Sequence, residues 1–243
     1  VCAFTVVVED KLPPRCSVEA QAIVCPDLDF DPEDPAQVAA RFGAPEAVVS
    51  VFDNCGATIG EALVWMPANC GRGVLERLFT VTDAGGQSAQ CSQTITVEEV
   101  TDYALQLPGD RALTSCNAIP DTDLQLESAG CEMLAVSRDT LPFEGVDGAC
   151  RRLMITYEVI NWCEYDAVGN TTPTRIPRDA DSDDHLDEVT WVVVAYDAAY
   201  DAVVAKVFGA DAAGNRASSP LRVFQPGDPG YNPGYFSYTQ FVD

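Results

Sequence analysis

"GCEMLAVSRDTLPFEGVDGACRRLMITYEVINWC" (130–163) decides how this chain reads, because an earlier version of it stands at 54–86 as "NCGATIGEALVWMPANCGRGVLERLFTVTDAGG". Each runs from a cysteine through a loop to a second cysteine, then into a basic-aliphatic strand that ends in a turn. Upstream, "AIVCPDLDFDP" (22–32) parallels "LTSCNAIPDTDL" (113–124); downstream, "QCSQTITV" (90–97) parallels "SYTQFVD" (237–243). Self-similarity on this scale marks one structural unit used twice. The second copy is longer, with an insertion of roughly sixty residues at about 167–230.

The units are β. Runs such as "EAVVSVF", "LERLFTVTD", "QTITVEE", "RLMITYEVI", "TWVVVAY" and "AVVAKVF" are rich in Val, Ile, Thr, Phe and Tyr and are separated by turn-forming clusters, the pattern of a β-sandwich. Only "PAQVAARFG" (35–43) and "DAAYDAVVAKV" (197–207) offer helical spacing. In the second, "DAAYD" between β-branched runs favours a hairpin. The expected fold is all-β: tandem immunoglobulin-like β-sandwich domains braced by disulfides. The expected division is residues 1–10 as the terminal strand of a preceding or neighbouring repeat, 11–100 as repeat 1, and 101–243 as repeat 2 with its insertion.

The chain has 243 residues with 14 basic and 38 acidic side chains, a net charge of −24, and only two of the basic residues are lysine, Lys11 and Lys206. Phosphate contacts need a basic surface, so nucleic acid is not an expected partner. No run of eighteen apolar residues is present, so no membrane-spanning helix is expected. The first residues lack a basic region followed by an apolar core, so the reading expects a mature product or a segment of a longer chain. Two explanations of the acidity stand together: a mutually repelling, well-solvated surface, and carboxylate clusters neutralised by calcium.

Ten cysteines lie well apart, with no CxxC pair and a single histidine, His185. That spacing suits disulfides and an oxidising compartment better than zinc. Comparing the copies suggests the pairs. The second copy has Tyr238 where the first has Cys91, and it has no counterpart of Cys16; the joint loss pairs Cys16 with Cys91. The middle pair survives in both copies as Cys55–Cys70 and Cys131–Cys150, which leaves Cys116–Cys163. Cys2 and Cys25 remain. "VCAFTVVVED" (1–10) resembles "QCSQTITVEE" (90–99), so Cys2 reads as part of the last strand of another unit, with an intermolecular or inter-repeat partner. A Cys2–Cys25 bridge is the alternative.

"CAFTVVVEDKLPPRC" (2–16), "FTVTDAGGQSAQCSQTITV" (79–97) and "VFDNCG" (51–56) resemble hyalin-type repeats, the immunoglobulin-like modules of extracellular proteins. "ACRRLMITYEVINWCEYD" (149–166), "IPRDADSDDHLDEVTWVV" (176–193) and "GYFSYTQFVD" (234–243) resemble repeats of the giant surface adhesins of gliding bacteria that the type IX system secretes. Gly85 departs from the family's usual "DACGN" turn, and residues 196–233 match no part of it, although "GADAAGNRASSP" (209–220) has the form of another such turn. The resemblance implies adhesion and tensile duty at the cell surface, with neighbouring repeats or sister subunits as partners and surface glycans as possible ligands. Joints such as "DKLPPRC" (10–16) stiffen such an array, since proline fixes its own φ and restricts the residue before it.

Within "RDADSDDHLDE" (178–188), Asp179, Asp181 and Asp183 alternate, and Asp184, Asp187 and Glu188 complete an oxygen shell suited to calcium. Unneutralised, carboxylates at that density repel by about 1 kcal/mol per close pair in water. "PDLDFDPEDP" (26–35) alternates Asp27, Asp29 and Asp31, which fits a weaker cation site or a strand with an acidic exposed side. In "PGDPGYNPGYFSYTQF" (226–241), Tyr231 and Tyr235 are the candidate ligand surface, against a reading in which the segment guides the chain back to its last strand with Tyr235, Phe236 and Tyr238 packed. Trp162 beside Cys163 is expected in the core. His185 has no nucleophile pattern near it and the cysteines are expected oxidised, so no enzyme is expected. Two alternatives to an adhesin segment stand: a filament subunit whose residues 1–10 insert into the next molecule, and a carbohydrate-binding module of a secreted protein.

Overall fold

A computed structural model describes residues 11–54, 56–112, 124–128, 131–144, 151–180, 182, 184–186, 188–211 and 213–243, with the side chains of Glu144 and Arg151 left aside. The chain is mostly β: about half of the described residues lie in strands and 7% in helix. It divides into two compact units, Val1–Glu99 and Val100–Asp243. Residues 1–10, with Cys2, and the expected partners Cys55, Cys116 and Cys150 lie outside the described residues.

Unit 1 opens with β1 (Arg15–Ser17) and β2 (Gln21–Val24), followed by helices α1 (Pro35–Phe42) and α2 (Pro45–Val48) and strand β3 (Ser50–Phe52). Three long strands complete it: β4 (Ala57–Pro67), β5 (Gly73–Asp83) and β6 (Ser88–Glu98). β1 pairs with β3, and a four-stranded sheet has the order β2-β6-β5-β4, with β2 parallel to β6 and the other pairs antiparallel. α1 forms where proline sits at its first turn and the Asp34 side chain accepts the Ala36 N–H at 2.8 Å. It stops at Gly43, whose φ of 96° is open to glycine at little cost. Val38 and Phe42, four residues apart, turn one face of α1 onto Leu75 and Ile95, and Phe30 meets Phe42 edge-on at 5.4 Å. So "PDLDFDP" is not an exposed strand: Cys25–Asp27 forms a single 3-10 turn, and Phe30 reaches back under the helix.

Unit 2 lays out β7 (Asp102–Leu107), β8 (Gln125–Ser128), β9 (Leu134–Glu144), β10 (Arg151–Asn161), β11 (Thr174–Arg175), β12 (Thr190–Asp197), β13 (Ala202–Phe208), β14 (Arg222–Phe224) and β15 (Tyr235–Val242). One sheet has the order β11-β15-β10-β9, with β11 parallel to β15; the other has the order β14-β13-β12-β7-β8. Their alternating apolar residues form one core, in which Ile155, Tyr157 and Phe236 from the first sheet join Leu105, Val192, Val194 and Val207 from the second. The β11-β15-β10-β9 sheet thus repeats the pattern of β2-β6-β5-β4, a parallel edge strand followed by three antiparallel ones. The insertion supplies β11 to β14. β12 and β13 form the hairpin that "DAAYD" suggests, closed by the Tyr200 N–H on the Asp197 carbonyl at 3.0 Å.

The repeat reaches individual side chains. Phe79 faces Cys91 across β5 and β6, and Tyr157 faces Tyr238 across β10 and β15. Cys91 is bonded to Cys16, with 6.0 Å between their Cα atoms. Tyr238, at the same station of unit 2, instead donates its hydroxyl to the Pro108 carbonyl at 2.8 Å, just past β7. Two residues further on, Gln93 and Gln240 are both buried. Gln93 Nε2 donates to the Glu19 carbonyl at 2.9 Å and Gln240 Nε2 to the Gly109 carbonyl at 2.6 Å. In each unit, therefore, the last strand holds the backbone that leaves the first strand.

The copies differ opposite that glutamine. Unit 2 has Ile155; unit 1 has Arg77, with no exposed surface. Its guanidinium donates to Glu61 Oε1 at 2.6 Å, Gln93 Oε1 at 3.0 Å and the Gly43 carbonyl at 2.9 Å. One buried cation thus joins β4, β5 and β6 to the end of α1. Truncating one partner of a buried pair strands the other charge, so Arg77→Ala should lower stability by about 3–5 kcal/mol in urea unfolding. Tyr238→Phe, which leaves one buried carbonyl unanswered, should cost about 1–3 kcal/mol. An unchanged midpoint for either variant would contradict the assigned role.

Candidate functional site

The outer face of the β11-β15-β10-β9 sheet carries an open cleft of about 660 Å³. Register explains its shape. Thr156 pairs with Thr239, and Glu158 pairs with Ser237, which pairs in turn with Arg175. Strand alternation sends Tyr157, Val159, Phe236 and Tyr238 into the core and these polar residues outward. Short hydroxyl side chains form the floor. Arg175 stands on the β11 side and Glu158 on the β10 side, with Tyr235 on β15 between them, and Arg178 also lines the cleft.

Tyr235 is held from two directions. Its hydroxyl donates to Glu158 Oε1 at 2.8 Å, and its ring meets Tyr165 edge-on at 5.7 Å. Burial and then the Glu158 carboxylate push its phenol up to about 12, so it stays protonated and remains the donor. Tyr165 in turn meets Trp162 edge-on at 5.8 Å, giving a row of three rings leading to the cleft. Gly234 makes this approach possible, since a Cβ there would lie 2.4 Å from the Tyr165 nitrogen. After Tyr165 the chain turns at "DAVGN", where Asp166 Oδ1 accepts the Val168 and Gly169 N–H groups at 2.9 Å each. Asp211 does the same for Ala213 and Asn215 in "DAAGN".

Asp110, just past β7, organises the arginine side. Its carboxylate pairs with Arg178 and accepts the Phe241 N–H at 2.8 Å, and its own N–H donates to the Leu186 carbonyl at 2.6 Å. Arg178 also lies over the Phe241 ring, 4.4 Å from its centroid. The acidic segment 178–188 is thereby tied at Arg178 and at Leu186 to Asp110, which in turn accepts from the last strand at Phe241. Arg175 is exposed, and no hydrogen bond or ion pair engages its side chain among the described residues. In a chain of net charge −24, that guanidinium stands out.

Of the expected calcium ligands, Asp181, Asp183 and Asp187 lie outside the described residues. Asp179 Oδ2 accepts the Asp184 N–H at 3.1 Å, and Asp184 has a φ of 67°. Asp184 and Glu188 are exposed. Among the described residues, Asp179, Asp184 and Glu188 do not gather their carboxylate oxygens within 4.8 Å of one another. The donor set is all oxygen, which suits a hard cation in kind.

Six described cysteines are in disulfides: Cys16, Cys25, Cys70, Cys91, Cys131 and Cys163. Six half-cystines make three bridges at the least, and they suit an oxidising, extracellular setting. Cys25, left over when the copies are compared, is therefore oxidised. Two expectations need correction. Tyr231 is not a surface residue: it is 7% exposed and donates its hydroxyl to the Val203 carbonyl at 2.8 Å. Trp162 is not in the core but 54% exposed, because β10 ends at Asn161 and Trp162 follows in a turn. Glu158, Arg175 and Asp110 went unnoticed in the sequence. Alternation in "RLMITYEVI" was the available sign for Glu158, whereas Arg175 and Asp110 depend on pairings across the insertion.

No model of a known protein family and no curated protein matches the chain.

Hydrogen bonds to the charged form hold several carboxylates below their ordinary value of 3.8: backbone N–H groups of Gly169 and Val168 for Asp166, those of Asn215 and Ala213 for Asp211, and the Arg152 guanidinium for Asp243. Folding lowers these values. Their contribution is therefore complete above about pH 3.8 and is lost as pH falls through the lowered values. Urea unfolding at stepped pH should show stability dropping below that point. The drop should be shallower in an Asp166→Asn, Asp211→Asn double variant, which keeps the turn acceptors but removes their charge; an equal slope would show that the turns do not titrate this way.

Proposed function

We propose that this chain is a non-catalytic, load-bearing and adhesive segment of an extracellular surface protein. In this reading its two units are immunoglobulin-like sandwiches of hyalin type, related to the repeats of giant adhesins of gliding bacteria. Neighbouring repeats or sister subunits continue the array, and its exposed faces meet a surface. One observation carries the reading: a four-stranded sheet of one pattern occurs in both units, and each unit fastens its first strand to its last. Such fastening suits a module pulled from its ends: in unit 1 the covalent bridge limits how far the chain between can extend, and in unit 2 the hydrogen bond resists the first separation of the end strands. Calcium belongs to the proposal as a neutralising ion for 178–188. The filament alternative rests on residues 1–10, outside the described residues. The carbohydrate-binding alternative draws support from the cleft beside Tyr235.

Single-molecule pulling tests the mechanical part. The Cys16–Cys91 bridge spans a sequence separation of 75, a length of chain that reaches roughly 250–270 Å when extended at about 3.3–3.6 Å per residue. The oxidised protein should withhold that length, and a Cys16→Ser, Cys91→Ser variant should release it, less the stretches that the bridges at Cys25 and Cys70 still close, as an added step of at most about 25 nm. If the variant and the parent extend equally, the bridge does not bear load. For calcium, a chelator should lower the melting temperature of the full chain, and an unmoved melting curve would remove the ion from the proposal.

A further inference from the structure

We infer that the cleft on the outer face of unit 2 binds a carboxylate-bearing saccharide, with Arg175 receiving the carboxylate and Tyr235 the sugar ring. The inference deepens the adhesive reading by giving it a ligand class. Arg175 presents a planar, permanently charged fork with no partner of its own among the described residues, the group best shaped for bidentate contact with a carboxylate. Arg178 stands beside it but is committed to Asp110 and the Phe241 ring, so it adds positive field more than a free fork.

The rest of the lining suits a sugar better than a peptide. Thr156, Ser237 and Thr239 offer hydroxyls that donate or accept as a sugar hydroxyl requires. Pro173 and Ile176 are the apolar members of the lining, and Ile176 is buried, so the cleft offers an apolar peptide side chain little to fill. Tyr235 supplies a flat face for the C–H side of a pyranose ring, and its hydroxyl is already fixed by Glu158. Arg175 and Glu158 lie on strands two apart, either side of Ser237, which sets them roughly 10 Å from each other at the backbone. That is the width of a sugar unit with its substituents. It also gives the ligand a direction, because a carboxylate turned toward Glu158 would be repelled.

The net charge of −24 opposes an acidic ligand at a distance. That field is screened beyond a Debye length of about 8 Å at physiological ionic strength, whereas the arginine contact acts inside it. Local recognition therefore decides.

The test uses the full oxidised chain and titration calorimetry with two probes, an oligogalacturonide and the same oligomer with its carboxylates methyl-esterified. The acid should bind and the ester should not. Arg175→Gln, at an exposed and unpartnered position, should weaken binding of the acid tenfold or more with an unchanged melting curve, and Tyr235→Phe, which keeps the ring, should weaken it far less than Tyr235→Ala. Equal binding of acid and ester, binding of neither, or displacement by a peptide C-terminal carboxylate as readily as by the oligogalacturonide would overturn the inference. None of these outcomes touches the pulling measurement, so the ligand can fail while the mechanical role stands, and the reverse.

Discussion

Fastening of the first strand to the last is the constraint on which each unit depends. Bringing the first and last strands of a unit together closes a long loop of chain, and that closure works against chain entropy. A buried glutamine accomplishes part of it in both units, reaching from the last strand to a carbonyl beyond the first. The contact is hard to replace, because a buried amide must satisfy both its donor and its acceptor. Gln93 does so with Arg77 and Gln240 with the Tyr157 hydroxyl. Two quite different interiors have thus been arranged around one requirement.

From that shared frame the units diverge on the inner side of the four-stranded sheet. Unit 1 covers the face with a short amphipathic helix and anchors the end of that helix with a buried arginine. Unit 2 covers it with a second sheet, most of whose strands come from the insertion, and has an isoleucine where the arginine stood. The helix brings a carbonyl that needs a donor; the sheet presents only side chains. The parallel edge strand shows the same economy. It precedes α1 in unit 1 and follows β10 in unit 2, so the sheet demands an occupant for that edge without specifying which part of the chain supplies it.

Much of this was legible in the residues. The strands of the repeated stretch, the hairpin at "DAAYD", the helix at "PAQVAARF" and the pairing of Cys16 with Cys91 all rest on local spacing or on comparing the copies. The site was harder to see. Tyr235 stood out as an aromatic among prolines and glycines, but Tyr231, in the same setting, is buried because its hydroxyl finds a carbonyl on β13. Trp162 looked like core beside a cysteine, yet the end of β10 one residue earlier turns it outward. Arg175 meets Ser237 only through a two-residue parallel pairing, and Asp110 meets Arg178 and Phe241 across distances along the chain that no local pattern records. Register between distant strands is what a reading of neighbours along the chain lacks.

The replacement of a cystine by a tyrosine changes more than bond strength. A sulfur bridge has to wait for an electron acceptor, and until one arrives the first half of the chain lacks that closure. A phenol meeting a carbonyl needs nothing but the right geometry. The second half can therefore make this contact while its thiols are still reduced, whereas in the first half the matching contact exists only once Cys16 and Cys91 are oxidised.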